Sequence, residues 1–456
     1  MTLLSSFVST SQLKGARVLV VGLGKSGISA AELSAREGAV VTATDRRELG
    51  ALADEARSLC EKGVTLEVGG HVEASFVSAD LIVLSPGVPP IPEIAAAEKR
   101  GVPIVGELEL AARFCRGRIV AITGTNGKST VTTLLGRMLE AQGIATFSGG
   151  NLGAPLCLAV GTPAAEPGGA LVVEVSSFQL ERTARFRPEV ALLLNVTEDH
   201  LDRYPSFAAY AAAKARVFLA QRSDDHAVVP AGDVVCESLA RAGRARVATY
   251  GASGAAEVAV EGDEIVDRRA GARYPLSALQ LRGAHNVTNA MASVLAARLM
   301  GAEPAAIGQV LSTFTGLPHR MQLVACREEV SYWDDSKATN VGAAVKALEG
   351  ICGRAVLIAG GRDKGGDYGP LRDQVERKAR AVVLIGEAAD KMAEVLRGAA
   401  EVVRATDMRD AVRRARSLAM PGDAVLLAPA CSSYDMFEDY VERGNVFRSV
   451  VLEEVA

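Results

Sequence analysis

The stretch RIVAITGTNGKST, residues 118–130, sets a lysine and two hydroxyl residues directly behind a glycine-bearing turn. Ile119, Val120, Ala121 and Ile122 read as a buried strand, and Lys128, Ser129 and Thr130 as the opening of a helix. Backbone N–H groups in such a turn converge on one spot, and the helix start adds positive partial charge. Lys128 supplies a full charge for β- and γ-phosphate oxygens, and the Ser129 hydroxyl is placed to bind Mg2+. The alternative is an ordinary strand-to-helix turn. It is disfavoured because Gly127-Lys128-Ser129 stands between an apolar strand and the helical run LLGRMLEAQG. The common P-loop pattern wants a glycine where Ile122 stands. Here the first loop glycine is Gly124, so the loop reads as a shortened variant.

Other chemistry-bearing residues follow. ALVVEVSSFQLE is an apolar strand closing on a single acid, Glu174. A carboxylate at the strand end of a P-loop sheet holds Mg2+ beside the phosphates, whereas a lone glutamate elsewhere is a solvated residue. GGNLG, residues 149–153, reads as a second glycine-rich loop. VALLLNVTEDHLDRY is a strand ending in a polar cluster that contains His200, and His285 and His319 also lie in polar, loop-like segments. His200 reads as a structural histidine or as a metal ligand. Lys214, in FAAYAAAKARVFLA, reads from composition as a solvated helix lysine. EVAVEGDEIV is a candidate hairpin. Asn286 and Asn289 share a helix face, and either recognise a base edge or cap the helix.

The elements that must position these residues come in three segments. In residues 1–106, the strand RVLVVG runs into Gly22–Gly27 and a helix, and a second strand ends on Asp45 about twenty residues on. This meets a dinucleotide-binding fingerprint. A nicotinamide dehydrogenase, a fold holding another nucleotide diphosphate, and plain strand–helix packing all fit it. LIVLSPGVPP brings Ser85-Pro86-Gly87 to the ligand edge of the same sheet, or simply stops the strand. Residues 107–316 hold the phosphate loop. Residues 317–456 alternate strands and helices, which implies a second doubly wound α/β domain. Its Arg-rich run RATDMRDAVRRAR reads as a solvated helix face.

Composition limits the classes. The 456 residues allow two to four domains, and 49% hydrophobic content allows large cores. A net charge of −4 argues against a nucleic-acid surface. The seven cysteines include no C-x-x-C pair and read as reduced core residues of a cytoplasmic protein. No signal peptide is expected from MTLLSSFVSTSQLK, and no membrane insertion from uncharged stretches broken by Gly and Pro.

TGTNGKST, EVSSFQLE, NVTEDHLDRY, HNVTN, LPHRM, DDSKATN, AGGRDKGG and PACSSYDMFEDYVERGN together resemble the Mur ligases of bacterial cell-wall synthesis, in order and across nearly the whole chain. TGTNGKS and the aspartate-to-lysine loop are shared with the wider family, folylpolyglutamate synthases included. SSFQLE, TEDHLDRY and PACSSYDMF are similar to the branch that adds D-glutamate. The resemblance implies an α/β protein of three domains: a Rossmann-like UDP-binding domain, a central P-loop ATPase domain and a C-terminal Rossmann-like domain. It implies ATP, with Mg2+ as two ions, and UDP-N-acetylmuramoyl-L-alanine and D-glutamate as substrates of a cytoplasmic monomer. Lys25, Ser26, Asp45, Arg46, Arg47, Ser85, Gly87 and Asn151 match the family's UDP contacts, and Gln179 a residue near the muramoyl group. ATP would meet Gly124, Thr125, Asn126, Gly127, Lys128, Ser129 and Thr130, with Asn289, Arg320 and Asp335 from later loops. Glu174 and His200 match magnesium ligands, and Lys214 matches a lysine that the family carbamylates. Lys337, Thr339, Lys364, Ser433 and Tyr440 match positions that hold D-glutamate; Tyr440 stands where the family has phenylalanine. An acyl phosphate formed on the L-alanyl carboxylate would then be attacked by the D-glutamate amine. Lys128 and Arg320 would stabilise the transferring phosphoryl group, His200 is a candidate base, and a hinge is expected near Gly316.

Overall fold

The computed structural model describes residues 13–455 apart from 152, 201–202, 253, 282, 364 and 366. Three sheets organise them, each made by its own stretch of chain. The first comprises β1 (Arg17–Val21), β2 (Val40–Asp45), β3 (Thr65–Val68), β4 (Leu81–Leu84) and β5 (Ile104–Gly106). All are parallel, in the order β3-β2-β1-β4-β5. The uninterrupted apolar runs of β1 and β4 suit strands covered on both faces. The order in which the chain adds strands reverses between β1 and β4, which opens a crevice at their C-terminal ends. β3 has no counterpart in the sequence reading. Its four residues are at most half-buried and too weakly patterned to stand out.

The second sheet holds β6 (Arg118–Thr123), β7 (Thr146–Gly150), β8 (Ala170–Glu174), β9 (Val190–Leu193), β10 (His226–Pro230), β11 (Arg246–Gly251), β12 (Val258–Glu261), β13 (Glu264–Asp267) and β14 (Ala272–Pro275). Its order is β14-β13-β12-β11-β10-β9-β6-β8-β7, so β6 lies between β8 and β9. β12 and β13 pair antiparallel as the expected hairpin. Gly149 and Gly150 belong to β7, which corrects the reading of residues 149–153 as one loop.

The third sheet holds β15 (Gln322–Arg327), β16 (Val330–Asp334), β17 (Ala355–Gly360), β18 (Ala379–Ile385), β19 (Glu401–Arg404) and β20 (Ala424–Leu427), in the order β15-β16-β20-β17-β18-β19. Only β15 runs antiparallel to its neighbour. Alternate residues feed two cores: Leu357 and Leu426 on one face, Ile358 and Leu427 on the other. The Arg-rich run forms the helix Met408–Leu418. It buries Met408, Ala411, Val412 and Ala415 and turns Arg409 and Arg413 out to Glu454.

The chain falls into two compact units. One joins residues up to Val196 with Ala211–Ala278 and Thr288–Thr313. The other joins Thr197–Tyr210, Leu279–Val287 and the residues from Phe314 on. Within the first unit, the helix Glu107–Ala112 stitches the first two sheets with buried acids. Glu109 accepts the N–H groups of Ala184, Arg185 and Phe186, and Glu107 Oε1 that of Cys157 at 2.6 Å. Burial pushes the Glu107 carboxyl up. All seven cysteines are free. Cys157, Cys236 and Cys431 are buried, but Cys60, Cys326 and Cys352 are exposed, which corrects their reading as core residues. No helix among the described residues is long and apolar enough to cross a membrane.

Candidate functional site

β6 delivers the chain to Gly124 and the helix Lys128–Ala141 carries it away. Between them, Asn195, just beyond β9, acts as a clamp. Its carbonyl accepts Thr125 N–H at 3.0 Å, its Oδ1 accepts Asn126 N–H at 2.9 Å, and its Nδ2 donates to the Asn126 carbonyl at 3.1 Å. Gly127 turns with φ +86°, and a Cβ there would lie 2.5 Å from Asn289 Oδ1. Asn289 sits inside the helix Ala284–Leu299 and so does not cap it; it packs against the loop glycine. Lys128 Nζ donates to the Gly124 and Thr125 carbonyls at 2.8 and 2.9 Å.

Lys214 is not a solvated lysine. It is 2% exposed, and its Nζ donates to the same Gly124 carbonyl at 2.9 Å. Composition misled because the helix Phe207–Ala215 is covered on the face that carries Lys214. Two ammonium groups thus converge on one carbonyl oxygen, a concentration of positive charge suited to an anion. Ser129 and Thr130 are buried at the start of the helix. Glu174 closes β8, one strand over. Its Oε1 accepts Asn151 Nδ2 at 2.8 Å, and its buried Oε2 has no hydrogen-bond partner among the described residues. A buried, unpartnered carboxylate oxygen at this sheet edge is a hard donor that fits a divalent cation. Among the described residues, no group of three or more His, Cys, Asp or Glu side chains is clustered to hold a metal unaided.

The loop after β1 is built differently. Ser85 Oγ donates to the Gly22 carbonyl at 2.7 Å, and a Cβ on Gly27 would lie 1.8 Å from that same oxygen. Asp45 Oδ2 accepts Leu23 N–H at 2.8 Å, and Oδ1 accepts Arg47 N–H at 2.9 Å. The Arg47 guanidinium adds two further bonds to the carboxylate. Burial alone would raise the Asp45 carboxyl, but these partners hold it down to about 2. The acid therefore organises the turn it was expected to serve as a ligand contact. Lys25, Arg46 and Gly87 are exposed and Ser26 half-buried around the same crevice. Gln179 spends its Oε1 on a capping box with Ser176, so its side-chain NH2 is the group left to meet a ligand.

In the second unit the parallel strands β16, β20 and β17 bring three loops to one edge. Lys337 Nζ stands 3.6 Å over the Tyr440 ring. Thr339 is half-buried and Ser433 buried; Lys364 lies outside the described residues. Burial raises the Asp335 carboxyl to about 7 against the opposing pull of the Arg320 guanidinium. His200 takes φ +56° seven residues past β9 and lines a cavity of about 330 Å³ with Thr339, Asn340, Asp363 and Tyr368. His285 sits in the first turn of a helix, and His319 is buried with Nδ1 2.7 Å from Asp334 Oδ2. His285 corrects its loop-like reading, whereas His319 does lie in a turn, with φ +59°.

Asn195 was not singled out in the sequence, although an asparagine right after an apolar strand neighbouring the phosphate-loop strand is a signal for it. Successive parts of the chain match the Mur ligase MurD-like N-terminal domain (residues 16–106), the Mur ligase middle domain (122–297) and the Mur ligase glutamate ligase domain (319–431). It is 49% identical to a UDP-N-acetylmuramoylalanine–D-glutamate ligase of Anaeromyxobacter dehalogenans, over 98% of this chain and 100% of that one. A ligase of the same name from Desulfosudis oleivorans is 47% identical over 95% and 96%. Its fold is similar to that of a MurF ligase from Thermotoga maritima in complex with ADP, with a TM-score of 0.61 at 16% identity and full coverage of both chains. With three domain matches in sequence order and relatives this similar from end to end, the chain belongs to the Mur ligase family.

Proposed function

We propose that this chain joins D-glutamate to UDP-N-acetylmuramoyl-L-alanine at the expense of ATP, for peptidoglycan precursors, as a cytoplasmic monomer. The observation that carries this is near-full-length identity of 47–49% with relatives named for that reaction. We assign the three steps of recognition to domains 1–106, 107–316 and 317–456.

Gly22–Gly27, Ser26, Ser85, Gly87 and Arg47 would receive the UDP moiety, with Lys25 and Arg46 as exposed cations at its diphosphate. Asn151 would join the UDP contacts, and Gln179 would lie near the muramoyl group. Gly124–Thr130 would cradle the ATP phosphates, with Lys128 as the charge that follows the γ-phosphate. Asn289, Arg320 and Asp335 complete the nucleotide contacts in this reading. Mur ligases use ATP and Mg2+. Glu174 and Ser129 would hold Mg2+, with His200 and Lys214 completing two ion sites, and the ions would neutralise charge on the transferring phosphoryl group.

Lys214 would serve as its carbamate. A buried ammonium beside Lys128 repels both a second cation and a metal ion. Reaction of its neutral amine with CO2 releases a proton and turns the cation into an anion. The L-alanyl carboxylate attacks the γ-phosphorus, giving an acyl phosphate and ADP. The D-glutamate amine, placed by Lys337, Thr339, Lys364, Ser433 and Tyr440, attacks the acyl carbon and expels phosphate. Carboxylate and amine are already competent partners, so positioning and electrostatics supply most of the rate.

The test is phosphate release from ATP with UDP-N-acetylmuramoyl-L-alanine, Mg2+ and bicarbonate, screening D-glutamate, L-glutamate, L-alanine and meso-diaminopimelate as acceptors. Release that requires D-glutamate alone is expected. Release with another acceptor moves the chain to a sister activity, and no release with any acceptor overturns the ligase reading.

A further inference from the structure

Arg443 is 1% exposed, and among the described residues it makes no ion pair. Its guanidinium instead spans two loops. Nη2 donates to the Ser336 carbonyl at 2.8 Å, Nε to Ser336 Oγ at 3.0 Å, and Nη1 to the Cys431 carbonyl at 3.2 Å. Ser336 stands between Asp335 and Lys337, and Cys431 stands two residues before Ser433. Ser336 Oγ in turn donates to the carbonyl of Tyr440, whose ring lies under Lys337. A second tether holds the same loop. Asp334 Oδ1 accepts Ser336 N–H at 2.9 Å, its Oδ2 meets His319, and the His319 carbonyl accepts Lys337 N–H at 3.1 Å. The helix can pass His319 only because residue 444 is glycine; a Cβ there would lie 2.2 Å from His319 Nδ1.

A buried cation without a carboxylate partner is expensive, and it is retained where a specific geometry needs it. Burial lowers the Arg443 guanidinium to about 10, so it stays charged at neutral pH. Its three donors all end on the backbone or hydroxyl of the two loops that carry Lys337, Thr339 and Ser433. We propose that Arg443 is a positioning residue for the amino-acid acceptor: it locks the 335–339 and 431–433 loops together. Asp334 and Asp435 are near enough to offset part of its charge. This deepens the reading of these loops as the D-glutamate site and rests on it.

Lysine keeps the charge but lacks the three-way fork, and methionine removes both. Arg443→Lys and Arg443→Met would be compared with the full-length wild type for KM of each substrate, kcat, melting temperature and amide hydrogen exchange without ligands. In Arg443→Lys the KM for D-glutamate should rise at least tenfold, kcat should fall less than fivefold, and the KM for UDP-N-acetylmuramoyl-L-alanine should stay within twofold. Exchange should accelerate in both loops while the helix Tyr440–Val455 stays protected. Arg443→Met should raise the same KM further if it folds. An unchanged KM for D-glutamate in Arg443→Lys, or a uniform loss across all substrates that tracks the melting temperature, would overturn the proposal. If the wild type shows no D-glutamate-dependent turnover, the acceptor assignment fails. The exchange measurement then decides the tether by itself: unaltered exchange in both loops would refute it.

Discussion

Two glycine loops in this chain follow the same strand–turn–helix path and are held by different side chains. At the first, between β1 and the helix Lys25–Arg36, the protein fills the turn with its own anion: Asp45 takes the Leu23 N–H and the Arg47 guanidinium. The second lies between β6 and the helix Lys128–Ala141. A neutral asparagine clamps the backbone, and two lysines meet on the Gly124 carbonyl. A glycine pattern therefore signals backbone geometry, and the side chains brought in by neighbouring strands decide the ligand. This difference underlies our assignment of the triphosphate to the second loop and the nucleotide sugar to the first.

The largest effects should fall on the lysines. Lys128→Ala should lower kcat by about 10^3-fold or more, the scale of removing a charge that follows a transferring phosphoryl group. Lys214→Arg keeps a cation but cannot form a carbamate. It should lose about 10^2-fold in kcat at saturating Mg2+. Near-wild-type turnover by Lys214→Arg would show that the ammonium itself is the working form. Steady-state kinetics on both variants, checked against circular dichroism for folding, measures this.

Next come the two glycines. Gly27→Ala drives a Cβ into the Gly22 carbonyl, a rigid backbone atom, and should destabilise the protein by about 2–4 kcal/mol in urea unfolding. Gly127→Ala meets the end of the Asn289 side chain, which can move, and a positive φ. It should cost only about 1 kcal/mol of stability while raising the KM for ATP several-fold. Equal losses at the two positions would remove the contrast between a packed and a ligand-facing turn.

The smallest expected effect is in acid. Asp45 is lowered from 3.8 to about 2, so its stabilising contribution is complete above the ordinary value and is lost as pH falls from about 4 through 2. That contribution is on the order of 1–2 kcal/mol. Asp45→Asn should therefore flatten the fall in stability across that window, as read by urea midpoints at each pH.

The sequence showed the parts whose chemistry is local. β6, its turn and the helix after it are contiguous, and Glu174 closes a continuous apolar strand, so pattern alone reveals them. Lys214 and Arg443 were hidden because their partners lie 90 and 107 residues away in sequence. A lysine or arginine on a helix looks solvated until the fold covers it. The sheets were legible where strands are fully buried, as in β1, β4 and β20, and missed where the strand is short and partly exposed, as in β3. The proposed carbamate on Lys214 rests on the resemblance to the Mur ligases, since no spacing rule points to one.

The division of labour between the two loops is tested most directly by isothermal titration of wild type and Lys128→Ala with Mg-ATP and, separately, with UDP-N-acetylmuramoyl-L-alanine. We expect Lys128→Ala to weaken ATP by more than about tenfold and to leave the nucleotide-sugar Kd within twofold. ATP binding untouched by the substitution, or both ligands weakened alike, would contradict the account.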